Sequence, residues 1–478
     1  MNKQPKYLVL ACAILGLGLC GAVESAITVD TTSDVDDGAD GLCSLREAIT
    51  TVNNIAAYNE CTFSAAPETI NFSVSGTITL LSALPAVVNG VTISGPGSVN
   101  LAVSGNLSFP VFVFDVGVGA ATITDLTIQN AGGGAGGAVI NNSGNTLTMR
   151  DCVVTGADGP AGIQISSTST LTMERCLVDT NAGHGLDFAC GSFGTITDST
   201  VINNSVIGSN GAGIYNCGEL DIVNTTISDN TTDQWGGGIA NDAGAILRLI
   251  GSTVSGNSDA QGAAGLFSAG NTLLINSTIS GNIGNGIYPA GPPGAVHQIY
   301  SSTIAMNQGI GLDMSGGRPV QVNNTIIAKN PGANCTNPGV MNSFGYNIED
   351  TNTCGFVNIG DLVNTDPRLE LLQDNGGLTF THALPAGSSA IDAGDPNGCT
   401  DPLGMNPLSV DQRGEIRPSD GDGTGGAVCD IGAYEAILAA IRSSSGCALG
   451  TDSRFDPVLP ALFFLAIVYL GIRRRNQA

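Results

Sequence analysis

Between residues 122 and 330 the chain alternates apolar and polar positions in short runs, and Gly, Asn and Asp break the runs. A period of two belongs to half-buried strands, and the breakers mark corners between them. One phrase recurs: Leu126-Thr-Ile-Gln-Asn130, Leu177-Val-Asp-Thr-Asn181, Thr200-Val-Ile-Asn-Asn204, Thr226-Ile-Ser-Asp-Asn230, Thr253-Val-Ser-Gly-Asn257, Thr278-Ile-Ser-Gly-Asn282, Thr303-Ile-Ala-Met-Asn307 and Ile326-Ile-Ala-Lys-Asn330. With a degenerate copy ending at Ala157, the last positions step by 27, 24, 23, 26, 27, 25, 25 and 23 residues, a mean of 25. Between phrases lie a glycine-rich piece such as Gly236-Gly-Gly-Ile-Ala240 and a second alternating run such as Ile246-Leu-Arg-Leu-Ile250.

Three strands and three corners per period are too few for a propeller blade but suit one coil of a parallel β-helix. The predicted fold is therefore all-β, a right-handed parallel β-helix whose hand follows that of parallel crossovers. A leucine-rich repeat has a similar period, but its helical half and its Leu and Asn consensus are missing. At about 4.8 Å per coil, the counted intervals give a rod of roughly 40 Å. The Asn that closes each phrase is expected to hydrogen-bond to its counterpart on the next coil.

A stacked coil has open ends that need a cover. Ser44-Leu-Arg-Glu47 reads as a capping box, and Ala48, Ile49, Val52, Ile55 and Ala56 follow at helical spacing. A short amphipathic helix is thus expected to plug the N-terminal end, and the region 365–436 to close the other. The first coils are expected around Ile70–Phe72, Ile78–Leu81 and Val91–Ile93.

The termini read as targeting segments. Lys3 and Lys6 precede an apolar run from Tyr7 to Leu19 and then small residues, the order of a secretory signal peptide cut after Ala22 or Ala26. Cys20 follows the bulky Leu19, where lipidation wants a small residue. At the other end Val458–Ile472 is apolar and leads into Arg473, Arg474 and Arg475, which predicts transient membrane insertion with the basic cluster inside. The expected organisation is a leader at 1–26, an N-terminal cap at 27–66, β-helix repeats at 67–364, a distinct region at 365–436, a linker at 437–457 and an apolar tail at 458–478.

Composition narrows the partners. The chain has 67 glycines, 12% charged and 5% aromatic residues, so its core must come from Val, Ile, Leu and Ala. Without residues 1–26 and 447–478, 10 basic residues face 38 acidic ones, a net charge of −28. Such a chain does not bind nucleic acid, and self-repulsion keeps it soluble and monomeric. Of 13 cysteines, Cys12 and Cys20 fall in the leader and Cys447 in the tail, leaving ten. These come as neighbours: Cys43 with Cys61, Cys152 with Cys176, Cys190 with Cys217, Cys335 with Cys354, Cys399 with Cys429. No CxxC or HxxxH spacing occurs, so disulfides of an oxidising compartment fit better than metal ligation. Connectivity is not fixed by sequence, but residues one repeat apart lie one above another in a stacked coil, which favours neighbour pairing.

Cys43-Ser-Leu-Arg-Glu-Ala-Ile49 resembles the signature of exported bacterial CSLREA proteins, which carry right-handed β-helix repeats of the pectin-lyase-like fold. Asn375-Gly-Gly377, Leu384-Pro-Ala386, Ala390-Ile-Asp-Ala-Gly394, Asp411-Gln-Arg-Gly414, Arg417-Pro418 and Cys429-Asp-Ile-Gly-Ala-Tyr-Glu435 are similar to a choice-of-anchor C-terminal region. Ser443 to Ser445, Gly446, Cys447, Asp456, Pro457 and the arginines 473–475 resemble a bacterial sorting tail. That resemblance implies a partner, an intramembrane sorting protease cutting near Cys447, with a plain membrane anchor as the alternative. The Gly-Gly-Ile and closing-Asn phrases resemble polymorphic outer-membrane adhesins. None of these resemblances brings a catalytic motif.

Candidate chemistry is sparse. The acidic loops Asp34, Asp36, Asp37, Asp40 and Asp420, Asp422 are oxygen-rich turns that suit structural calcium, without EF-hand spacing. Gly183-His184-Gly185 resembles one short motif of polygalacturonases, whose companions are absent, and His184 is read as a corner residue. A lyase needs a base beside an acidic substrate, yet Lys329 is the only lysine between residues 27 and 478. Trp235, Tyr215 and Tyr288 are the scarce aromatic platforms and are read as corner shields. No catalytic or cofactor-binding residue is singled out. The expected function is a non-enzymatic exported or cell-surface protein, adhesin-like or matrix-forming, with a surface or polysaccharide ligand. The alternative is a polysaccharide-active enzyme, lyase or glycoside hydrolase.

Overall fold

A computed structural model describes residues 26–64, 66–115, 117–134, 136–400 and 408–437. Three parallel sheets run the length of a right-handed coil. Sheet 1 has 13 strands from Ile27–Val29 to Met341–Ser343, sheet 2 has 11 from Gly76–Thr79 to Ile326–Ala328, and sheet 3 has 10 from Phe112–Phe114 to Ala333–Thr336. In one coil the chain passes through Thr146–Arg150, Val153–Thr155 and Ala161–Ile165, then re-enters sheet 1 at Thr170–Glu174, in register with Thr146–Arg150.

Register turns the sequence phrase into a core. Ile128, Val154, Val178, Val201, Ile227, Val254, Ile279, Ile304 and Ile327 lie opposite one another on successive strands of sheet 2. All nine are fully buried. β-Branched side chains suit this position because they pack along a pleated column.

The expected asparagine ladder forms at the corner between sheets 2 and 3. The Oδ1 of Asn230 accepts from both the main-chain N–H (2.9 Å) and the Nδ2 (2.9 Å) of Asn204, and Asn257 does the same for Asn230 at 3.0 Å each. Asn181, Asn282, Asn307 and Asn330 continue the pattern. The residue before each ladder Asn is left-handed: Thr180 (φ 54°), Asp229 (φ 55°), Gly256 (φ 65°) and Lys329 (φ 59°) among them. That conformation explains why two copies place Gly, Gly256 and Gly281, before Asn, since only Gly adopts it without steric cost.

The N-terminal cap follows expectation. A helix spans Leu45–Asn54, Ser44 and Glu47 form a reciprocal capping box, and Leu45, Ala48, Ile49 and Val52 are buried on the core. Arg46 pairs with Asp34 at 2.8 Å, and the Leu81 N–H donates to the same carboxylate, tying the helix to the first coils.

The C-terminal end differs from expectation. Val340, Cys354, Phe356 and Val363 pack on the core at this end, not the region 365–436. That region lies along the outside of sheet 2. The Thr379 hydroxyl donates to the Gly251 carbonyl (2.9 Å), Thr253 to Phe380 (2.7 Å), and Thr278 to Gln412 Oε1 (2.6 Å). The outward positions there are Thr253, Thr278, Ser280, Ala305, Ile326 and Ala328, small or apolar rather than charged, so they accept a second layer. A separate apolar cluster joins Ala305, Ile326 and Ala328 to Leu384, Ile391, Ile431 and Tyr434. Arg417 and Glu435, both fully buried, pair at 2.8 Å beneath it.

Among the described residues no helix is long and apolar enough to cross a membrane. The leader, Cys447, Asp456, Pro457 and Arg473 to Arg475 lie outside those residues.

Candidate functional site

The outward face of sheet 3 brings together aromatic and titratable side chains from several coils. Register aligns Gln164, Asp187, Tyr215, Ala240, Phe267 and Tyr288 on consecutive strands. Trp235, from the turn before strand Ile239–Asn241, joins the row. Its ring centroid lies 5.6 Å from Phe267 and 5.3 Å from Tyr288, and those two are 6.0 Å apart. Tyr288 stacks on both Trp235 and Phe267, at 21° and 12°, while Trp235 is tilted 33° from Phe267, and all three rings remain partly exposed.

Upstream the row becomes polar. The Tyr215 hydroxyl donates to Asp242 at 2.7 Å. Burial, that hydrogen bond and the nearby charges of Asp242 and Asp187 push the phenol up to about 12. Asp187 precedes Tyr215 by one coil, and its carboxyl is raised by burial, partly offset by His184. His184 opens strand His184–Phe188 and is buried, with its ring 5.7 Å from Tyr215. Its Nδ1 lies 2.7 Å from the Gly211 carbonyl, which can only accept, so Nδ1 carries a proton. This corrects the corner reading for His184, Tyr215 and Tyr288, which are strand residues, while Trp235 lies at a corner as expected and packs against Tyr288. The strands of sheet 3 contain no lysine or arginine. The face thus offers aromatic rings and hydrogen-bond acceptors with no fixed positive charge.

The calcium candidates fare differently. Asp34 is taken by Arg46, Asp36 accepts from Tyr58 and Asn59, and Asp37 and Asp40 cap the N–H groups of Ala39 and Leu42. These four do not converge, because Asp34 and Asp36 are held by side chains of other segments while Asp37 and Asp40 close their own turns. Asp420 and Asp422 do come together, with Asp392, their ligand atoms within 4.8 Å of one another. Sequence spacing could not show Asp392, which reaches the pair only through the folded layer.

Four of the expected cysteine pairs are bridged: Cys43–Cys61, Cys190–Cys217, Cys335–Cys354 and Cys399–Cys429. Cys152 and Cys176 stand as buried thiols on adjacent coils, unlike the expected fifth bridge. A groove of about 780 Å³ runs between the Thr and Ser hydroxyls of sheet 2 and Leu371, Leu378 and Phe380 of the added layer. It carries one ionisable side chain, Asp229.

The family described as right handed beta helix region matches residues 117–215 and 161–337. Fold and match together define the class: this is an all-β protein built as a right-handed parallel β-helix. Among solved structures, pectate lyase Pel9A is similar at 14% identity and a TM-score of 0.45, over 86% of this chain and 97% of that one. The catalytic domain of a GH87 alpha-1,3-glucanase, bound to tetrasaccharides, is similar at 14% identity and a TM-score of 0.40, covering 67% of this chain and 66% of that one. The A-module of the mannuronan C-5 epimerase AlgE6 of Azotobacter vinelandii is similar at 14% identity and a TM-score of 0.35, covering 69% and 91%. No curated protein matches the chain in sequence.

Proposed function

We propose that this chain is an exported, adhesin-like surface rod that holds a neutral polysaccharide along the outside of sheet 3. The carrying observation is the aligned row of Asp187, Tyr215, Phe267 and Tyr288, with Trp235 beside it, on strands free of lysine and arginine. Sugar hydroxyls donate to the carboxylates, and sugar C–H faces pack on aromatic rings. A polyuronate lacks a cation to meet it there and is repelled by the net charge. Export rests on the CSLREA-like Cys43–Ile49, the leader and the disulfides. Attachment rests on the choice-of-anchor-like region 365–436 and the sorting-like tail at Cys447, whose processing by a sorting protease belongs to the same proposal.

A second reading is catalytic and is favoured by one observation, the convergence of His184, Asp187, Tyr215 and Asp242. A carboxyl raised by burial, beside an imidazole, is suited to proton transfer on a glycosidic oxygen. The experiment that separates the two readings exposes the exported protein to neutral and acidic polysaccharides, with titration calorimetry and a reducing-end assay run together. Binding of a neutral polymer, weakened roughly tenfold by Trp235→Ala and without new reducing ends, supports the surface rod. New reducing ends abolished by Asp187→Asn establish the enzyme, and binding of neither polymer refutes both.

A further inference from the structure

A second ladder runs along the corner between sheets 1 and 2. There each main-chain N–H donates to the side chain of its counterpart on the next coil: Cys176 to Ser199 Oγ (3.1 Å), Ser199 to Thr225 (3.3 Å), Thr225 to Ser252 (3.1 Å) and Ser252 to Ser277 (3.2 Å). The first rung differs only in its heteroatom, the Cys152 N–H pointing at Cys176 Sγ at 3.4 Å. The flanking strands hold the pair in strict register, Arg150 opposite Glu174 and Val153 opposite Leu177. Cys190 and Cys217 are likewise a coil apart, with Cα atoms 4.3 Å from each other, and they are bridged.

We propose that Cys152 and Cys176 are a site of oxidative modification, closed to a coil-to-coil disulfide by a disulfide-bearing oxidant of the exported compartment while the rod is still assembling. The first step is attack by the Cys176 thiolate on one sulfur of the oxidant's disulfide, releasing the other sulfur as a thiolate. Cys152 then gives its proton to that thiolate and attacks Cys176 Sγ, expelling the second sulfur. Two protein thiols are oxidised and one disulfide is reduced to two thiols. Cys176 is the attacker: its Sγ accepts the Cys152 main-chain N–H, and the neighbouring Cys152 side chain lowers its pKa.

Timing follows from burial. In the finished rod Cys152 is 1% and Cys176 3% exposed, and buried thiols exchange poorly. A solenoid grows by nearest-neighbour stacking, so Cys176 lies on an open edge until the coil carrying Ser199 covers it. A cleft of about 410 Å³ lined by Asp151, Arg175 and Asp198 still borders both residues from outside.

The test denatures the exported full-length protein in iodoacetamide without reductant and maps its peptides by mass spectrometry. A Cys152–Cys176 cross-linked peptide with neither residue alkylated is expected, and alkylation of both would overturn the proposal. Cys176→Ser, which keeps the ladder acceptor, should leave Cys152 alkylated with the four other bridges intact; an unalkylated Cys152 there would also overturn it. Full-length chain folded under reductant should oxidise at this pair about tenfold more slowly than when unfolded, and equal rates would refute the timing.

Discussion

Replacing Asn257 by Ala tests whether the asparagine ladder holds the coils. Asn257 is fully buried and makes four side-chain bonds: it accepts from the N–H and the Nδ2 of Asn230 at 3.0 Å each, and donates to Ile227 O and to Asn282 Oδ1, also at 3.0 Å. At about 1 kcal/mol per net bond, with the Asn230 N–H left without an acceptor, the loss is roughly 4 kcal/mol. Because coils couple to their neighbours, opening should be local. Hydrogen exchange read by mass spectrometry should therefore accelerate by a factor of about a hundred or more in residues 226–257, while strand Thr146–Arg150 is unchanged. Asn257→Asp is the control. It keeps the acceptor for Asn230 but sets a carboxylate against the Oδ1 of Asn282. Burial raises its folded pKa above the unfolded value, so its stability is greatest below about pH 4 and falls as pH rises through the folded pKa. A loss below about 1 kcal/mol for Asn257→Ala, or no pH dependence for Asn257→Asp, would refute a ladder that carries stability.

Three further outcomes follow from single positions. Arg417→Met leaves the fully buried Glu435 without its partner, which costs about 3–5 kcal/mol; limited proteolysis should then cut within 365–436 before the rod. His297 is buried in the inward column of sheet 1, and burial lowers its pKa to about 4. Its neutral form is favoured in the folded state, so up to about 3 kcal/mol of stability present above pH 6.5 is lost as pH falls toward 4, and His297→Gln should flatten that part of a urea-titration pH profile. Thr180 is β-branched, exposed and left-handed at φ 54°, so Thr180→Gly should raise stability by about 1 kcal/mol in the same assay.

What could be read from the sequence was whatever repeats. The closing Asn of each phrase and the inward Ile or Val two residues into it gave the coil, the ladder and the right-handed β-helix, because one side chain per period occupies one column. The capping box at Ser44 and Glu47 was equally readable, being a local hydrogen-bond exchange. The placement of 365–436 was not, since Thr253 meets Phe380 across 127 residues of chain and no period links them. The row on sheet 3 was hidden for a related reason. Corner lengths differ between coils, so Tyr215, Phe267 and Tyr288 show no constant spacing, and only register aligns them. Asp392 joins Asp420 and Asp422 through the same non-local layer.

If sheet 3 is the face that holds a glycan, hydroxyl-radical footprinting of the exported protein will read that contact residue by residue. With a bound neutral polysaccharide, Trp235, Phe267, Tyr288 and Tyr215 should be protected from oxidation together, while Leu371, Leu378 and Phe380 beside sheet 2 remain as reactive as in the free protein. Protection confined to the sheet 2 groove, or no change at Trp235 at saturating ligand, would contradict the account.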